Sequence, residues 1–304
     1  MNKKQIIPIA AIVLLVTLAL AACQAEEEGR EEKNLPITIG RLNVACSEAL
    51  HPSSRADEDG LADWYVGDEL KVYYWDENGA NISIGSYTRT AHGTWKAADN
   101  VWQVSDVSKD IDILVGKDFI LSDQSTWQNY HKADRIVGFV TLDRTTGQVY
   151  TAEGQLLNHQ SVDVVITLTP ATTGWAPEEF EQHIRTAKIS INGYDMFYNY
   201  NLMPHTPWLS RLSAEGAELR AHINPYYLAA AGDATKPIIT ITPGDGSAPI
   251  SGSYTLPADT NLDPDGYNMR LAITFANYAN QRILAPGTAT IVGWQDGGTE
   301  EIVE

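Results

Sequence analysis

Cysteine, methionine and phenylalanine are scarce in this chain of 304 residues, which holds 2 Cys, 4 Met and 5 Phe. Two cysteines, Cys23 and Cys46, leave little scope for cross-links, so stability must come from packed cores. Basic side chains are also few: 21 Lys and Arg face 39 Asp and Glu, a formal charge of −18. An acidic surface argues against nucleic acid and anionic headgroups as partners. After Cys23 no apolar run is long enough to span a bilayer. Local catalytic signatures are missing too. His51, His92, His131, His159, His183, His205 and His222 stand far apart, with no HxxxH or HxH spacing for a metal. There is no Gly-rich phosphate loop and no G-x-S-x-G elbow. Cys46 has no basic neighbour to activate its thiol and reads as a buried strand residue. Asn261 to Gly266 imitates the opening of a calcium loop, but Ala272 stands where the bidentate acid belongs, and a hairpin turn fits better. No cofactor, metal site or catalytic residue is therefore expected, and an enzyme with a non-local site is the weakest reading.

What is present begins at the N-terminus. Lys3 and Lys4 precede 17 uncharged residues, Ile6 to Ala22, a length typical of a cleaved signal segment. The segment ends in Leu20-Ala21-Ala22-Cys23, which resembles the bacterial lipobox. The resemblance implies a signal peptide over 1–22 and a lipidated N-terminal Cys23 that carries diacylglyceryl and palmitate groups; an uncleaved anchor is the alternative. Removing 1–22 leaves 282 residues with 19 basic and 39 acidic side chains, a formal charge of −20. The acidic stretch over 24–32, part of a tether over 23–34, reads as a solvated linker. It also resembles the surface-export signal of Bacteroidetes lipoproteins.

Period-two alternation predicts strands throughout. Leu70, Val72 and Tyr74 alternate with Glu69, Lys71 and Tyr73, and Val162, Val164, Ile166 and Leu168 form a cleaner run. Met269 to Phe275, Ile189/Ile191 and Ile239/Ile241 repeat the pattern. Turn signals fall at Glu77-Asn78-Gly79, Thr146-Gly147, Asn192-Gly193, Pro243 to Gly246 and Asp265-Gly266. Helical periodicity is confined to Pro177–Ile184, with Pro and Glu in its first turn. Short strands without crossover helices predict an all-β fold of two tandem β-sandwich domains, over 57–154 and 155–304, with a seam near 143–154. Ahead of them lies an isolated apolar island, Leu35 to Ala45. Ile37, Ile39, Leu42 and Val44 would line one face of a strand broken near Gly40. A polar stretch, His51-Pro52-Ser53-Ser54-Arg55-Ala56-Asp57, separates the island from the rest, so 35–56 reads as a first strand and its loop.

The order of motifs is familiar. Arg55-Ala56 follows the lipid cysteine, the acidic tether and the lone strand. Then come Trp64 to Tyr73, Asp76-Glu77-Asn78-Gly79, Asp123-Gln124-Ser125, Ala133-Asp134-Arg135-Ile136, Leu157-Asn158-His159, and finally Gly287 to Gly298. This progression resembles the Bacteroidetes fimbrillin family, the FimA/Mfa-like lipoprotein pilins and accessory subunits. The resemblance implies a transthyretin-like first domain and no enzymatic activity. It also implies a maturation protease that cuts at Arg55-Ala56, releasing the strand Leu35–Ala45, whose groove is refilled by a strand of another fimbrial subunit. Arg41, within the strand, and Arg30, before it, are poorer cleavage sites. The implied location is the cell outer membrane, held there by the lipid on Cys23, and the surface fimbrium, with a role in adhesion or biofilm formation. The C-terminus ends soon after Trp294, with no distinct donor strand. The runner-up is a lipid-anchored glycan-binding protein, for which Trp95, Trp102, Trp127, Trp175 and Trp208 are candidate stacking platforms unless they pack inside the sandwiches.

Overall fold

A computed structural model describes residues 34–44, 64–117, 121–172, 175–196, 199–224, 227–228, 237–255, 269–278, 284 and 287–293. Cys23, Cys46, Arg55, Ala56, the signal segment, the calcium-like stretch and the C-terminal residues from Trp294 onward lie outside the described residues.

The fold is all-β with short helices. Over 34–159 the strands are β1 Thr38–Ile39, β2 Glu69–Trp75, β3 Asn81–Arg89, β4 Trp95–Ala97, β5 Ile113–Lys117, β6 Ile136–Asp143, β7 Gln148–Tyr150 and β8 Asn158–His159. They form one sheet ordered β1-β7-β6-β5-β2-β3-β4, with β8 also on β6. Strand β6 changes partners along its length: Ile136–Val140 pairs with β5, and Thr141–Asp143 pairs with β7. The sheet thereby bends over its own core, where Leu70, Val72, Ile84, Val115, Ile136, Val140 and Val149 are buried. Asp76 shapes the predicted β2–β3 turn by accepting from the backbone N–H groups of Asn78 and Ala80, while Gly79 takes φ 75°.

The second half holds β9 Val162–Pro170, β10 Lys188–Met196, β11 Asn199–His205, β12 Trp208–Ser213, β13 Gly216–Ile223, β14 Ile239–Thr242, β15 Ile250–Gly252, β16 Tyr254–Thr255, β17 Met269–Tyr278 and β18 Gly287–Gly293. One sheet is ordered β12-β13-β9-β17-β18-β16 and the other β11-β10-β14-β15. The alternating residues Val162, Val164, Ile166 and Leu168 meet Leu271, Ile273 and Phe275 from the first sheet and Ile189, Ile191, Ile239 and Ile241 from the second. Each inner face removes a row of aliphatic side chains from water, about 1.5–3 kcal/mol for each one buried. The expected helix is present as Pro177–Thr186, with Phe180 and Ile184 in this core.

Three details differ from expectation. Asn192-Gly193 is no turn but lies inside β10. A Cβ at Gly193 would come within 2.7 Å of His205 Nε2, so the glycine serves close packing of β11 rather than a chain reversal. Residues 143–154 hold the β6–β7 hairpin and its exit, and the change of sheets falls between β8 and β9. An additional helix, α1 Trp127–Ala133, is capped by Thr126, whose Oγ1 accepts from Asn129 N at 3.1 Å.

Candidate functional site

The segment 34–44 lies between two walls of the first sheet. On one side it runs parallel to β7, Thr38 against Gln148 and Ile39 against Val149. Thr38 N donates to Gly147 O at 2.8 Å and Gly40 N to Val149 O at 2.8 Å. Further on, Thr151 N donates to Arg41 O at 3.0 Å and Leu157 N to Asn43 O at 2.9 Å. On the other side Ile37 N donates to Trp102 O at 3.1 Å and Val104 N to Leu35 O at 2.9 Å, with Pro36 bridging Gln103. The segment is thus bonded on both edges, to β7 along its middle and to residues 102–104 at its start.

Its apolar side chains drop into the core. Ile37, Leu42 and Val44 retain 0%, 3% and 8% of their exposure, while Ile39 is half-buried. The groove adds polar clamps aimed at main chain. Tyr87 OH donates to Ile37 O at 2.8 Å, and burial raises the phenol's pKa so that it keeps its proton. Gly147 takes φ 75°, and a Cβ there would meet Pro36 O at 2.7 Å, so glycine lets the hairpin close on the segment. Asp143 shapes the same hairpin: hydrogen bonds from Thr145 and Thr146 hold its carboxyl down at about 2. Arg144 ties the two walls together. Its guanidinium donates to Val107 O at 2.7 Å and Val104 O at 3.4 Å.

A second polar construction joins the two halves. Helix α1 lies against β12 and β13, and Tyr130 OH donates to Asp163 Oδ1 at 2.8 Å. Asp163 also accepts from Arg270 Nε at 2.6 Å. Asp134 accepts from His159 Nδ1 at 2.8 Å and Ser161 Oγ at 3.0 Å, and His222 Nδ1 lies 3.2 Å from that hydroxyl. Burial alone would raise the Asp134 carboxyl, but His159, His222 and Lys117 outweigh it and hold the carboxyl well below the usual range. Gln124 spans β13, accepting from His222 N at 2.7 Å and donating to His222 O at 2.8 Å. Lys117 pairs with Asp68 at 3.1 Å and donates to His131 O near the end of α1. Desolvation drives the pKa of His131 down to about 3 and lowers those of His222 and His205. Gln124, Asp134 and His159 belong to motifs noted in the sequence, yet nothing in the sequence placed them together.

The five candidate tryptophans are all partly covered. Trp95 and Trp102 pack on the first core and Trp175 on the second. Trp127 meets Tyr65 and His131, and Trp208 meets Tyr130. The tryptophan that stands 47% exposed is Trp75, which sequence reasoning passed over. Phe139, 53% exposed, shares its outer sheet face, where Tyr73, Leu114 and Val137 form a small separate cluster.

No family model matches the chain, and no curated protein does. Solved structures similar to it include a candidate cell adhesion protein of Bacteroides uniformis ATCC 8492, at 12% identity over 77% of this chain and 94% of that one, with a TM-score of 0.43. A candidate cell adhesion protein of Bacteroides ovatus ATCC 8483 is similar at 11% identity over 86% and 98%, TM-score 0.44. The fimbrial anchor protein Mfa2 of Porphyromonas gingivalis is similar at 10% identity over 85% and 98%, TM-score 0.40. All three scores lie below 0.5, and what the groove can do is read from its own residues.

Proposed function

We propose that this protein is a non-enzymatic structural subunit of a surface fimbria, acting in adhesion or biofilm formation. In this reading the chain is exported as a lipoprotein on Cys23, is cut at Arg55-Ala56, and exchanges its first strand for a strand of a neighbouring subunit. The outer membrane, a maturation protease and other fimbrial subunits are its partners. The observation that carries the reading is the double-edged seat of 34–44. Without that segment β7 would present an unpaired edge, and the pockets of Ile37, Leu42 and Val44 would stand empty. Arg144 would still brace the walls, which favours a groove that outlasts its occupant.

The protease reading also fits the pairing. Arg41 has an exposed side chain, but its carbonyl accepts from Thr151 N and Oγ1, so the strand is not free to enter a protease cleft. Limited trypsin digestion of the lipid-free chain tests this reading. The expected result is an early cut at Arg55, sparing of Arg41, and concentration-dependent ladders that resist SDS. A cut chain that stays monomeric and binds a glycan array would instead favour the glycan-binding reading, with Trp75 and Phe139 as the exposed aromatic pair.

A further inference from the structure

We infer that the groove selects its occupant by a broken spacing, and that Thr151 is the residue that reads the break. In a regular strand, side chains five apart point to opposite faces. Ile37 and Leu42 are five apart, yet both are buried in the same core, at 0% and 3% exposure. The ladder shows where the phase changes. After Gly40 N donates to Val149 O, an even parallel ladder would send the next bond from Thr151 N to Gly40 O. It goes to Arg41 O instead, at 3.0 Å. One extra residue is therefore accommodated at Gly40–Arg41, the parallel counterpart of a bulge.

Thr151 holds both sides of this step. Its buried hydroxyl accepts from Asn43 N at 2.9 Å and lies 3.3 Å from Arg41 O, supplying bonds that a backbone out of register cannot make. Gly40 lies at the break, where a Cβ would stand 3.3 Å from the end of the flexible Gln148 side chain and 3.4 Å from Tyr150 Cβ and Val149 O, so a small residue is accommodated most easily there. The occupant that fits is thus a strand with apolar residues at positions i, i+5 and i+7, as in Ile37, Leu42 and Val44. A uniformly alternating apolar strand of the same composition does not fit, because its later side chains would point away from the pockets. Hydrophobicity alone would not make this distinction.

This inference rests on strand exchange as proposed above and adds the identity of the strand that is accepted. The test uses the full chain cut by trypsin and two synthetic peptides that compete with a fluorescent copy of residues 34–44. One peptide has the natural sequence; the other lacks the residue at position 40, which restores regular alternation with the same apolar side chains. The natural peptide is expected to bind at least roughly tenfold more tightly. In Thr151→Val protein that preference should fall below about threefold, and in Thr151→Ser protein, which keeps the hydroxyl, it should persist. Equal binding of the two peptides to the wild-type groove would overturn the spacing rule and leave exchange intact. An undiminished preference in Thr151→Val protein would overturn the role of Thr151. Failure of the natural peptide to enter at all would overturn exchange itself, and the selection with it.

Discussion

The groove of the first strand and the joint between the halves are both buried and both hydrogen-bonded, but they are made of different materials. In the groove the contacts run mostly from backbone to backbone, or from the side chains of Tyr87, Thr151 and Thr38 to backbone; Ser105 Oγ on Asn34 Oδ1, at the exposed start of the segment, is a side-chain pair, and the rest is aliphatic burial. Any chain with the right spacing can supply a carbonyl and a methyl group. At the joint the contacts run between particular side chains: Tyr130 and Arg270 on Asp163, His159 and Ser161 on Asp134. No substitute strand could satisfy those carboxylates. Recognition through the main chain allows a piece to be replaced, whereas a buried ionic network demands the original partners.

Breaking the joint should produce the largest effect. Asp163→Ala strands the Arg270 guanidinium and the Tyr130 hydroxyl, and about 3–5 kcal/mol of stability should be lost. Urea unfolding would show the loss, with separate transitions for the halves where the wild type gives one. Ile37→Ala should cost about 2–5 kcal/mol, confined to the first half, because it empties a core pocket without touching the joint. Hydrogen exchange resolved by peptide would locate the loss. Acid should act on the joint before the groove. His131 titrates near 3 when folded and near 6.5 when unfolded, so as pH falls from 6.5 towards 3 the unfolded chain gains the proton first. Stability should drop by up to about 1.4 kcal/mol per pH unit for this residue, and His131→Asn should flatten a urea-midpoint curve taken over that window. Trp75→Ala should cost about 1 kcal/mol, the smallest of these effects, because only about half of the residue is covered, with its ring against Tyr73. A strong loss of glycan retention in that variant would turn attention from the groove to the outer face.

Much of the contrast was legible in the sequence, but unevenly. The alternation in β9 and β17 and the break near Gly40 were readable because period and phase are properties of the chain itself. Helix α1 was not, since seven residues are too few to establish a helical period. Asp163 was hidden for a different reason. It alternates with Val162 and Val164 and so reads as a solvent-facing residue, yet it has no exposure. Alternation separates two faces of a strand and says nothing about what covers the second one. Here α1 covers it, and Arg270 and His222 flank Asp163 on the neighbouring strands. Tyr73 and Trp75 share an outer face by the same logic, one buried and the other exposed.

Amide hydrogen exchange on the trypsin-cut chain, with an excess of unlabelled 34–44 peptide, tests the central claim most directly. The amides of Ile37, Thr38, Gly40 and Asn43 should lose protection at the rate of strand exchange, while those of β9, β13 and Gln124 at the joint stay protected. If strand and joint amides instead lose protection together, the first strand is an inseparable part of the folded body, and the replaceable groove is contradicted.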